Sequence, residues 1–143
     1  MNLQLGPDEY KKLVELTYLG EWLVNSHHDP EHQDETAESV FQKVLAAAPV
    51  RGIGQDVETK DFFVKDEWAA KLYEDYIADY DDHVFWDELT ERLAQRDLAK
   101  LRGASADSID REEDLTELRP LEEKYHFELE EHGIDRLNID PDF

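Results

Sequence analysis

A chain of 143 residues with 40% apolar content has the length of one domain, and its Trp, Tyr and Phe suffice to build a core. Its 37 acids against 15 bases give a formal charge of −22, which repels phosphate backbones and anionic membranes, so neither nucleic-acid nor membrane binding is expected. Cysteine is absent, which excludes disulfides, thiolate chemistry and cysteine zinc sites, and no window approaches the roughly 20 apolar residues of a bilayer span.

Pro7, Asp8 and Glu9 are favourable first-turn residues and open a helix predicted to run to about residue 29. Apolar or small side chains from Tyr10 to Val24 wrap most of its circumference, the pattern of a buried central helix. Gly20 in its interior predicts a close helix–helix crossing, since glycine there costs about 1 kcal/mol. After the polar break "SHHDPEHQD", a second helix is predicted over 35–48, with Val40, Phe41, Val44 and Leu45 on one face and Pro49 as its stop. Residues 49–65 read as irregular, with "FFV" as a short edge strand. Gly52 and Gly54 lack the strand, third glycine and lysine of a phosphate loop.

From Asp66 the helical pattern returns, with Ala69, Leu72, Tyr73, Tyr76, Ile77 and Tyr80 in one stripe. Trp86, Leu89 and Leu93 are turned about 130° from that stripe at 100° per residue. The phase change predicts a break within 79–84, with Asp81 and Asp82 capping a new helix to about Leu101 and "GAS" ending it. Asp110 and Glu113 have capping-box spacing and predict a short helix to about Leu118. Pro120 then starts a last helix ending at His132-Gly133, and the tail "IDRLNIDPDF" carries one short extended stretch. The expected fold is all-α: one helical domain over 1–143, a bundle of five to six helices around a buried N-terminal helix, with at most a minor β element.

"LTYLGEWLVNSHH" and "YDDHVFWDELTERLAQRDL" resemble stretches of a family of small, acidic, uncharacterised bacterial proteins, over most of the chain. The resemblance implies a fold shared across bacteria and no activity, cofactor or catalytic residue.

Two constellations could hold a metal. Asp75, Asp79, Asp82 and His83 would form a row on one face of a straight helix, as carboxylate and imidazole ligands do in di-metal bundles. The Glu-x-x-His spacing of those bundles is missing. "EDYIADYDD" is similar to the acidic helices of magnesium-dependent nucleotide pyrophosphatases but reproduces neither E-x-x-E nor E-x-x-D. His27, His28 and His32 could gather zinc or nickel, although Pro30 interrupts them and histidines also complement a helix C-terminus. Caps and a solvated face are the expected roles of these residues. Trp22, Trp68, Trp86, Tyr73, Tyr76 and Tyr80 read as core. Ser26, Ser39, Ser105 and Ser108 lie outside any G-x-S-x-G turn.

Three explanations fit the charge: solvation in a salty cytoplasm, a surface for basic partners, or a DNA-like decoy. "MNLQLGPDEY" lacks a basic patch followed by an apolar run, so a cytoplasmic location is expected. The leading expectation is a non-catalytic interaction or regulatory protein without a cofactor, whose acidic surface meets a basic protein. A metal-dependent hydrolase using Mg²⁺ or Mn²⁺ on the acidic helix is the alternative, and a DNA-mimic inhibitor ranks third.

Overall fold

The computed structural model describes residues 4–48 and 50–138. Over the described residues the chain is 69% helical, with a small two-stranded sheet and four helices when the two segments joined by a π turn are taken as one, so the all-α expectation holds at that level with fewer helices than the five to six expected. No described helix is long and apolar enough to cross a membrane. The chain divides into two compact units, Met1–Asp79 and Tyr80–Phe143.

The first unit is built from α1 (Pro7–Asn25), α2 (Glu35–Ala47), strands β1 (Ile53–Gln55) and β2 (Phe62–Val64), and α3 (Asp66–Leu72). Val14, Phe41, Leu45 and Val64 form its buried cluster, so α1, α2 and β2 each contribute one face. Tyr18 meets Phe41 edge to face at 6.1 Å, a favoured aromatic geometry. The Tyr10 hydroxyl donates to the Val44 carbonyl at 3.1 Å, tying α1 to α2 at a half-buried site.

Helix α1 is amphipathic and is not the buried centre of a bundle. Among its apolar residues only Val14 is fully buried, while Leu16 and Leu23 are 59% and 58% exposed. Nor does Gly20 mark a crossing: a Cβ added there would meet nothing within 4 Å.

Two glycines shape the hairpin. β1 pairs antiparallel with β2, placing Gly54 opposite Phe63, whose ring lies where a side chain at 54 would project. Gly52 has φ +101°, a conformation open to glycine, and sits against the Trp68 ring. The amide of Gln42 pairs with the backbone of Phe62 in both directions, at 2.9 and 2.7 Å. It thereby joins α2 to β2 by satisfying a strand-edge N–H and C=O.

The predicted break within 79–84 is absent, because α4 (Ala78–Arg102) passes through it as uninterrupted helix. The irregularity lies earlier, in a π-helical turn over Tyr73–Ile77 that joins α3 to α4. A π turn takes one more residue than an α turn and re-phases what it carries. Leu72 and Ile77, five residues apart, are both buried, while Tyr73, Tyr76 and Tyr80 are 49%, 46% and 58% exposed. The tyrosine stripe expected in the core is therefore on the surface, and Asp81 and Asp82 cap nothing.

In the second unit, α4 and α5 (Leu115–His132) supply most of a cluster of Ala94, Leu98, Ala99, Ile109 and Leu118, with Leu121 and Tyr125 packed against it. The short helix expected over 110–118 and the one from Pro120 are a single helix with Pro120 inside it. Asp110 accepts the N–H groups of Glu112 and Glu113 and caps a turn ahead of that helix. Gly133 ends α5 as expected. In the tail, residues 134–138 are turn or irregular, and the rest of the expected extended stretch lies outside the described residues, as does Pro49.

The cap the sequence pattern missed is Asp34, whose carboxylate accepts the N–H groups of Thr36 at 2.8 Å and Ala37 at 3.1 Å at the start of α2. Asp34→Ala should lower the free energy of unfolding in urea by about 0.5–2 kcal/mol, the usual cost of a lost cap. Asp81→Ala, at an exposed mid-helix position, should stay within about 0.5 kcal/mol. Equal losses at the two sites would contradict this assignment.

Candidate interaction surface

The residues of the two metal constellations do not converge. Asp75 lies in the π turn and has Lys71 Nζ at 3.8 Å. Asp79 is exposed at the start of α4. Asp82 accepts the indole N–H of Trp86 at 3.1 Å, and His83 Nε2 lies 3.3 Å from Asp87. The rings of His27 and His28 lie tilted by 40° with centroids 4.0 Å apart, and His32 ends a 3-10 turn over Pro30–His32. Among the described residues, no three His, Asp or Glu side chains gather as a metal ion requires.

The loop that carries these histidines is held by its ends. Asn25 is 3% exposed, accepts the N–H of Asp34 at 2.7 Å, and donates to Glu21 at 3.0 Å. Burying an amide without partners would cost about 1–3 kcal/mol, so this network fixes how the chain leaves α1 and enters α2.

In the first unit, Asp66, Glu67, Glu74, Asp75 and Asp79 are all exposed, with exposed Tyr73 and Tyr76 between them. Of these five acids, Asp75 alone has a base within ion-pair distance among the described residues. The tyrosine face already takes a cation: Lys12 Nζ stands 5.7 Å from the ring centroid of Tyr76. Lys11 stands similarly over Trp68, at 5.6 Å. Rings at these distances attract ammonium groups through their quadrupole.

In the second unit three arginines link one element to another. Arg102, at the end of α4, donates to Asp114 at 2.8 Å and Glu117 at 2.7 Å. Arg111 lies between Glu91 of α4 and Glu122 of α5, within a cleft of about 400 Å³ that His126 also lines. Arg96 reaches the Tyr125 hydroxyl at 3.1 Å, and that hydroxyl donates to Asp97. These ion pairs hold α5 against α4 and leave exposed Asp81, Asp82 and Glu112 without a base among the described residues.

The apolar surface that sequence reasoning missed is a groove in the first unit between α1 and α2. Leu16, Thr17, Gly20 and Val24 line it from α1, and Thr36, Ala37, Val40 and Phe41 from α2. Its signal was the excess of apolar positions around α1, which reads equally as burial or as an open face. Compared with family models, curated proteins and solved structures, the chain matches none.

Burial disfavours the charged form of Asp97, but the Tyr125 hydroxyl and the Arg96 guanidinium outweigh it and hold the carboxyl below its ordinary value of 3.8. A lowered folded pKa stabilises the fold above the unfolded value, and the gain is lost as pH falls from about 3.8 through the lowered value. Tyr125→Phe should therefore move the Asp97 carboxyl pKa upward in a ¹³C titration and flatten the acid limb of the stability profile. An unchanged Asp97 titration would contradict the assignment.

Proposed function

We propose that this is a cytoplasmic interaction protein that acts by binding a basic protein through its acidic surface. The observation that carries the reading is the set of exposed side chains between Asp66 and Asp79, where Tyr73 and Tyr76 stand among Asp66, Glu67, Glu74, Asp75 and Asp79 and Lys71 is the one base. Carboxylates supply a long-range field that steers a cationic partner and speeds encounter. Tyrosines supply contact area at small entropic cost and accept cations on their faces, as Tyr76 does with Lys12. Neither group alone gives a specific surface; together they give attraction and contact area. The same negative field disfavours a nucleic-acid or anionic-lipid ligand. The resemblance to small acidic bacterial proteins is compatible with this reading and adds no activity to it.

Immobilised protein exposed to a lysate of its own host should retain a basic protein that elutes between roughly 0.1 and 0.5 M NaCl, the range over which charge-driven complexes weaken. The triple variant Glu74→Gln, Asp75→Asn, Asp79→Asn should bind that protein about tenfold or more weakly, a loss of at least about 1.4 kcal/mol. Retention of acidic proteins alone, or retention indifferent to both salt and the triple variant, would contradict the reading.

A further inference from the structure

The groove between α1 and α2 combines two properties that ordinary surface lacks. It is apolar and open: Leu16, Val24 and Val40 line it while remaining 59%, 40% and 47% exposed. A Cβ added at Gly20, one of the lining residues, would meet nothing within 4 Å, so the groove has room at that position. Its space is about 440 Å³, enough for a few aliphatic side chains and within the usual range of binding clefts. The only charged residues lining it are Glu21 and Asp34, both acidic, and no Lys or Arg lines it. Asn25 holds both by hydrogen bonds, to the Glu21 carboxylate and to the Asp34 backbone, so the acidic end of the groove is fixed in place.

We infer that this groove seats a basic amphipathic helix from a partner protein. The inference rests on the proposed function for the basic character of the partner, and adds a second contact in the same unit whose lining shares no residue with the Asp66–Asp79 run. Apolar side chains at positions i, i+3, i+4 and i+7 of such a helix would lie along Leu16, Gly20, Val24 and Val40. Lysines or arginines flanking that stripe would face Glu21 and Asp34. Complementary charge explains why the occupant is basic: in a chain of charge −22, an acidic or second identical segment would be repelled before it could bury apolar surface.

The test titrates the full chain with three synthetic peptides of roughly 15 residues, about four helical turns, in about 0.15 M NaCl. The first is a Leu/Lys helix with one apolar stripe, the second a scrambled sequence of the same composition, and the third a Leu/Gln helix with the same stripe. The inference expects 1:1 binding of the striped Leu/Lys peptide, at least about tenfold tighter than either other peptide. Val40→Lys puts a like charge at an exposed lining position, and Gly20→Gln adds a side chain at an open lining position; each should weaken binding about tenfold with the melting curve retained.

Equal binding of the scrambled peptide would overturn the groove and leave the acidic-surface reading standing. Equal binding of the Leu/Gln helix would overturn the requirement for a basic occupant. Binding unaffected by either folded variant would place the peptide elsewhere. Self-association abolished by Val40→Lys would make a second copy the occupant and overturn the inference. Failure of both lysine peptides to bind would count against the function reading as well.

Discussion

Repulsion among carboxylates is the constraint on which the rest of this structure depends. With 22 more acids than bases on a small chain, many like charges lie within a Debye length of one another, about 8–10 Å near physiological salt. A base offsets most repulsion where two helices must approach with acids on both, as Arg111 does between Glu91 of α4 and Glu122 of α5, while Arg102 of α4 pairs with Asp114 and Glu117 at the start of α5. Bases used there are not available to neutralise open helix faces. The exposed acidic surface follows first from the excess of acids over bases, 37 against 15.

The apolar interior is small enough for that repulsion to matter. Among the described residues, four form the buried cluster of the first unit and five that of the second, with Leu72, Ile77, Leu93 and Leu129 buried beside them. At about 1.5–3 kcal/mol for each large side chain fully buried, such clusters stabilise strongly only against a comparable entropy cost. Polar fixings therefore carry structural weight: the Asn25 network, the Gln42 amide on the edge of β2, and the Asp34 cap. Each satisfies backbone groups that a larger core would otherwise have to shelter.

What the sequence revealed follows the same physics. Helices predicted over 7–29 and 35–48 from first-turn residues and apolar period are present over Pro7–Asn25 and Glu35–Ala47, the first ending four residues early, and "FFV" was legible as a strand by its β-branched and aromatic character. The tyrosine stripe at 73, 76 and 80 was misread because its phase assumed 3.6 residues per turn throughout. The extra residue of the π turn pairs Leu72 with Ile77, and no local pattern announces it. Gly20 was misread for a related reason: a helical glycine marks either close contact or open space, and only the tertiary fold distinguishes them. The groove stayed hidden because it needs α1 and α2 side by side. The acidic run was legible as a surface, while its tyrosines were not.

The central claim is that the exposed carboxylates remain charged and uncompensated in the folded chain. The melting temperature as a function of NaCl from about 10 to 200 mM measures this directly, since the Debye length shrinks from about 30 Å to below 10 Å over that range. Uncompensated repulsion requires the melting temperature to climb, most steeply at the low end, with sodium sulfate at matched ionic strength giving the same rise before its effect on apolar burial sets in. A melting temperature that stays flat across that range would mean that the acids are already neutralised, and would contradict the claim.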